Sequence, residues 1–234
     1  KGDGTTDDTS SIKAAIDAAG SKGGIIYFPE GRYKITAPVT ISHALLLSGT
    51  ASHTGIIVPH GNFDVFTFIG KDSGAGAKDL KIEGDHHTGG TCITIDGANR
   101  SRFYNLMITN PYNAFNISKA MTTSIKQTVV TGVKGEYGIR YWGNDTVKST
   151  MLDLDHVKLS GNIDNLNSTG ILLDGNVYNT RMNTVVSSVF GTGLWLKKSS
   201  GSVRPTLLQA SDVEIDSPLK LAMNIEEGEN IFFS

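Results

Sequence analysis

Two aspartates one residue apart, in the stretch Thr150-Met151-Leu152-Asp153-Leu154-Asp155-His156, are the side chains of this sequence best suited to acid/base chemistry. If the stretch is a strand with Leu152 and Leu154 turned inward, Asp153 and Asp155 face outward together, with Cα atoms about 6.5 to 7 Å apart. Their carboxyls then reach the separation used in glycoside hydrolysis. Proximity is expected to push the two pKa values apart and leave one carboxyl protonated as the acid. A second group, Arg140, Trp142, Asp174, Trp195 and Lys197, combines both tryptophans of the chain with two cations and a third candidate catalytic carboxylate. An indole covers the apolar face of a pyranose while charged groups bond its hydroxyls or carboxylates.

These residues need a scaffold that aligns positions far apart in sequence, and a repeat supplies it. The motif apolar-x-apolar, closed by a small or polar turn residue, recurs from about residue 80 onward. One column runs Leu80/Ile82, Leu106/Ile108, Thr128/Val130, Val157/Leu159, Val185 and Val213/Ile215. A second runs Ile93/Ile95, Phe115/Ile117, Ile139/Tyr141, Ile171/Leu173, Leu194/Leu196 and Leu219/Leu221. Short period-two runs bounded by Gly, Asn, Asp and Ser read as strands and turns. A unit of about 25 residues without a helix-length segment buries its inward face only by stacking on its neighbours, which makes a β-solenoid. Because each strand returns to the same column one coil later, the expected winding is a parallel β-helix. A leucine-rich repeat has a similar period, but its Leu/Asn consensus is absent.

Stacking places equivalent outward residues of successive coils about 4.8 Å apart. Beside the second column the outward positions read Thr94, Asn116, Arg140, Leu172, Trp195, Lys220, and then Asp96, Ser118, Trp142, Asp174, Lys197, Ala222. Around Asp153 and Asp155, neighbouring coils contribute Arg102, Tyr104, Lys126, Arg181 and Asn183. The structural alternatives are an aspartate pair merely solvated and balanced by these bases, and tryptophans covered by an adjoining subunit.

At 234 residues and 38% hydrophobic, one domain buries a sizeable core. Twenty-seven glycines and six prolines suit a chain that turns often and seldom breaks a ladder. The net charge of −2 includes no basic block, so no nucleic-acid partner is expected. No apolar run is long enough for a transmembrane helix and no signal peptide is recognisable, so no membrane insertion is expected. Cys92 is the only cysteine, which excludes an intramolecular disulfide. Four glycosylation sequons, at Asn99, Asn116, Asn144 and Asn167, match what an Asn- and Thr-rich repeat produces by chance. The adjacent His86 and His87 read as a solvated loop pair rather than a metal site, and neither a metal nor another cofactor is expected. Gly74-Ala75-Gly76 lacks the Lys-Ser/Thr of a phosphate loop, and there is no Gly-x-Ser-x-Gly elbow.

Residues 1–35 differ from the coils. Asp7, Asp8 and Thr9 precede Ile12-Lys13-Ala14-Ala15-Ile16-Asp17-Ala18-Ala19, with Gly20 behind, which predicts one short capped helix. Gly23 to Ile35 reads as strand, turn, strand, and the helix would lid the first coil. The predicted organisation is an N-terminal cap over 1–35 and coils over 36–234. An opening on Lys1-Gly2-Asp3-Gly4 and an end at Ile231-Phe232-Phe233-Ser234 suggest a piece of a longer chain.

The string Gly2-Asp3-Gly4-Thr5-Thr6-Asp7-Asp8-Thr9, followed by a helix and by Phe28-Pro29-Glu30-Gly31-x-Tyr33, resembles the start of the pectate-lyase-like right-handed β-helix proteins. That group includes polygalacturonase-type hydrolases and bacteriophage tailspike and appendage proteins. The polygalacturonase motifs Asn-Thr-Asp, Asp-Asp, Gly-His-Gly and Arg-Ile-Lys are not matched in the coils, so the phage proteins are the nearer comparison. The resemblance implies an all-β right-handed parallel β-helix, usually a homotrimer, in a virion tail or outside the cell. Its expected partner is a bacterial cell-surface polysaccharide or teichoic acid, bound and then cleaved. On that reading Asp153, Asp155 or Asp174 is catalytic, while Arg140, Trp142, Trp195, Lys197, Arg102, Tyr104, Lys126 and Arg181 hold substrate. The other readings are a non-catalytic adhesin or spike segment and a secreted pectinase-like lyase or hydrolase.

Overall fold

The computed structural model describes residues 1–51, 54–70, 74–199 and 203–234. Every named strand pairing in it is parallel and joins one coil to the next, as a solenoid requires. One face is an eight-stranded sheet with one strand per coil, and a 14-stranded sheet forms the other two faces. From Thr123 onward single long strands, Thr123–Val133, Ser149–Gly161, Val177–Ser188 and Thr206–Asp216, cross both of those faces.

The bend in each long strand comes from one left-handed residue. Asp79, Asn105, Gln127, His156, Thr184 and Asp212 all have φ between 47° and 54°. Each follows a residue that is in register with its counterpart in the next coil, so the six form a single corner of the solenoid. Asn and Asp tolerate this conformation best because a short polar side chain can bond locally. Asn105 does so between coils, donating from Nδ2 to Asp79 Oδ1 at 2.8 Å.

The inward columns are those read from the sequence. Ile82, Ile108, Val130 and Leu159 stand in one register, and Ile93, Phe115, Ile139, Ile171 and Leu194 in another. All nine are buried. A third inward column, Phe103, Ile125, Leu154, Met182 and Ala210, lies behind the aspartate pair. Aromatic edges stitch the faces together, with Phe103 centroids 5.2 Å from Phe68 and 5.8 Å from Phe115.

Two differences from the sequence reading have local causes. The second column ends on Met223 and Ile225, which pair with Leu194 and Leu196, rather than on Leu219 and Leu221. The chain first folds back, with Leu219 N–H donating to Phe190 O, so Leu221 enters opposite Thr192 and is 49% exposed. Hence Asn224, not Lys220, is the outward neighbour of Trp195. The column also begins earlier than residue 80. Val39/Ile41 and Phe66/Phe68 carry the same apolar-x-apolar motif, in register with Ile93/Ile95.

The helix spans Thr9–Ala19, and its Ile12 and Ile16 enter the core. Its start is held by Asp7 rather than Asp8. Asp7 Oδ1 accepts the Thr9 N–H at 3.0 Å and Oδ2 accepts the Thr36 hydroxyl at 2.6 Å, while the Asp8 carboxylate turns back to the Lys1 ammonium. Strands Gly24–Tyr27 and Gly31–Ile35 already pair with Leu45–Ser48 and Gly55–Pro59, so they form the first coil beneath the helix.

Candidate functional site

Between its two corners, the part of each long strand that precedes the bend presents two outward rows. One row runs Arg102, Ser124, Asp153, Arg181, Gln209, and the other Tyr104, Lys126, Asp155, Asn183, Ser211. The inward Leu152, Leu154, Ile125 and Met182 fix this outward set, because the side-chain period of a strand is two. Asp153 and Asp155 therefore share one coil, with Lys126 on the coil before and Arg181 and Asn183 on the coil after.

Lys126 Nζ lies 3.0 Å from Asp153 Oδ2 and 3.7 Å from Asp155 Oδ2. These oxygens are therefore no more than about 7 Å apart, below the upper end of the roughly 5 to 9.5 Å used by glycosidase carboxyl pairs. Asp155 also accepts from Asn183 Nδ2 at 2.8 Å and faces His156 Nδ1 at 2.8 Å. The Asn183 amide, with His156 and Lys126, holds the Asp155 carboxyl below its ordinary pKa. The carboxylate of Asp153, chiefly through its bond to the ammonium, raises Lys126. The protonated member expected from proximity alone is thus not Asp155, because a cation and an amide outweigh the repulsion between the carboxyls.

Three depressions mark this face, the second and third side by side over the same coils. The first, about 300 Å³, is bounded by Leu46, Lys78, Arg102 and Tyr104. The second, about 140 Å³, lies at Met151, Asp153, Asn179 and Arg181. The third, about 360 Å³, lies at Lys126, Asp153, Asp155, Arg181 and Asn183. Asp153 and Arg181 border both of the last two, so the carboxylate pair stands inside an extended, solvent-open strip with cations on either side.

The tryptophan group is on the eight-stranded sheet, a different face of the solenoid. Register brings Arg140 beside Leu172 and Trp142 beside Asp174, and it aligns Trp195 and Lys197 on the next coil. Arg140 bonds Asp174 Oδ2 through Nη2 at 2.6 Å and Nε at 3.2 Å. Its guanidinium also sits 5.1 Å from the Trp142 ring centroid. Trp195 donates from Nε1 to Glu226 Oε1 at 3.1 Å and has Lys197 Nζ 5.6 Å from its centroid. A depression of about 390 Å³ lies among Tyr137, Arg140, Asp174, Trp195 and Lys197. Asp174 is only 8% exposed and already paired with Arg140, a geometry that suits anchoring better than proton transfer. The three candidate catalytic aspartates are therefore divided between two faces.

His86 and His87 do not act as a pair. His87 is fully buried, its Nε2 donating to Phe63 O at 2.8 Å and its Nδ1 accepting the Tyr112 N–H at 3.2 Å. Both ring nitrogens are used, and burial lowers its pKa. His86 instead stacks on His60, centroids 4.3 Å apart. Sequence reasoning missed Met151, Asn179 and Glu226. Met151, Asn179 and Leu207 form a second left-handed corner at a constant spacing of 28 residues, which the repeat could have revealed.

Residues 1–72 match the family profile described as rhamnogalacturonase A/epimerase, pectate lyase-like. Over its full length the chain superimposes on the A-module of mannuronan C-5 epimerase AlgE6 from Azotobacter vinelandii, covering 97% of it with a TM-score of 0.54 and 12% identity. It carries the parallel β-helix fold of that module. The N-terminal fragment of bacteriophage Phi29 gene product 12 shares this β-helix with a TM-score of 0.60 and 14% identity, over 96% of the chain and 41% of the fragment. By sequence, the β-helix is 32% identical over 155 residues to plasmin and fibronectin-binding protein A of Streptococcus pneumoniae. That alignment takes in 62% of the chain and 21% of the relative's length.

Proposed function

We propose that this β-helix binds a bacterial cell-surface polysaccharide along the outward face that carries Asp153 and Asp155, and cleaves it there. The observation that carries the reading is the set of three depressions on one face, two of them side by side at the carboxyl pair, with Arg102, Lys126 and Arg181 among their walls. A sugar chain laid parallel to the solenoid axis meets a new coil about every 4.8 Å, so successive residues face successive coils. Asp155, held ionised, supplies the anionic partner, and Asp153, which faces both depressions, exchanges the proton with the glycosidic oxygen. Arg181, Arg102 and Tyr104 hold the chain to either side. The Trp142/Trp195 face, with Arg140, Lys197 and Asp174, serves as a separate sugar platform.

The same proposal places the chain on a virion tail or outside the cell, as part of a homotrimer, with teichoic acid as an alternative polymer. Lys126 favours a second reading, an adhesin or spike segment that binds without cleaving, because its ammonium already contacts both carboxylates in the unliganded protein. A secreted lyase or hydrolase on the same scaffold would use the same pair. Incubation with capsular, lipopolysaccharide and wall polymers, read as new reducing ends and as the ultraviolet absorbance of unsaturated uronides, separates these. Product that disappears in Asp153→Asn supports the hydrolase reading. Binding without product supports the adhesin. Neither binding nor product sinks the proposal.

A further inference from the structure

The smallest of the three depressions has a composition unlike its neighbours. The inward-facing Leu152 and Thr123 lie behind it, and its accessible walls are Met151, Asp153, Asn179 and Arg181. Met151 is left-handed, with φ 65°, and 48% exposed. One coil earlier Met121 is 60% exposed, and its carbonyl accepts from the Thr150 hydroxyl, which brings the two methionines to the same corner. The volume of about 140 Å³ falls short of the roughly 300 Å³ that a whole small-molecule ligand needs, whereas the adjoining depression of about 360 Å³ reaches it. A cavity of about 150 Å³ holds a guest of benzene size, so the small depression takes a ring substituent while the larger one takes the ring.

The chemistry of the walls limits that substituent. A carboxylate would meet Asp153, and a hydroxymethyl group would leave the exposed Met151 side chain uncovered. An acetamido group answers every wall. Its methyl lies on the exposed Met151 side chain, its N–H donates to a carboxyl oxygen of Asp153 or to Asn179 Oδ1, and its carbonyl accepts from the Arg181 guanidinium. We propose that this corner pocket is the subsite for the acetamido group of an N-acetylated amino sugar, set next to the Asp153/Asp155 pair. The inference rests on the reading of this face as the polysaccharide groove.

The test uses the protein labelled with nitrogen-15 and titrated with N-acetylglucosamine, N-acetylgalactosamine and N-acetylmannosamine, each beside its parent hexose. At least one N-acetyl sugar is expected to shift the amides of Thr122 to Ser124, Met151 and Asn179 to Arg181 saturably, binding at least tenfold more tightly than its parent. Saturation transfer is expected to be strongest at the acetamido methyl. Met151→Asp, checked for folding by its melting temperature, is expected to lower that affinity at least fivefold. Equal shifts from acetylated and parent sugars, centred on Lys126, Asp155 and Asn183, overturn the inference and leave the polysaccharide groove standing. Absence of shifts on this face from every sugar overturns the inference, and the groove then stands or falls on product release from intact polymer.

Discussion

Lys126 Nζ and Asp153 Oδ2 are 3.0 Å apart across two adjacent coils, although 27 positions separate the residues in sequence. The same ammonium reaches Asp155 at 3.7 Å, so one cation contacts both carboxyls. Because the Asn183 amide is the main hold on Asp155, Lys126→Met is expected to raise the Asp155 pKa only slightly toward its ordinary value and to move the acid limb of a pH–rate profile slightly upward. Asp155 is depressed in the folded protein, so its stabilisation is present above the ordinary carboxyl pKa and is lost as pH falls through the folded value. Titration followed by carbon-13 NMR of the aspartate carboxyls checks both points.

His87 is built into the core as a neutral ring. Replacing it with Ala orphans the Phe63 carbonyl and the Tyr112 N–H, each worth about 1–3 kcal/mol when buried, so His87→Ala is expected to lower stability by roughly 2–5 kcal/mol in urea melts. Because burial depresses its pKa, the unfolded chain binds the proton first. Stability should therefore fall as pH drops from about 6.5 toward the folded pKa, and this slope should shrink in the variant to the part that the likewise depressed His60 contributes.

Asp7 joins the helix start to the first coil through Thr9 and Thr36, whose hydroxyls hold its pKa down at about 2. Its contribution is complete above about 4 and is lost as pH falls through about 2, so acid unfolding should carry this signature. Asp7→Ala should cost about 1 kcal/mol at neutral pH, as a lost helix cap does, and shift the acid transition upward.

Thr184 occupies the left-handed corner with φ 52°, where the coil containing residue 105 uses Asn. A β-branched side chain is poorly suited to this region, where an L-residue costs about 1–2 kcal/mol. Thr184→Asn is expected to stabilise the protein by up to about 1 kcal/mol, read as a raised melting temperature.

The inward columns were legible in the sequence because alternation has a period of two and any slip would expose a whole strand. Asp153 and Asp155 could be placed outward for the same reason, between Leu152 and Leu154. Charge state was not legible, since it depends on which side chain of a neighbouring coil reaches across, as Lys126 and Asn183 do. The terminal error at Leu219/Leu221 came from assuming a constant turn length, which the fold-back at Phe190 breaks. His87 misled because burial belongs to the fold, not to the loop composition around it.

The most direct test of the groove compares product release from bacterial surface polysaccharides by wild type, Asp153→Asn and Lys158→Ala, the last an exposed change on the remaining outward face. The account expects new chain ends from wild type and Lys158→Ala at rates within twofold, and a loss of at least about a hundredfold in Asp153→Asn, the scale of a general acid. Full activity in Asp153→Asn would contradict it.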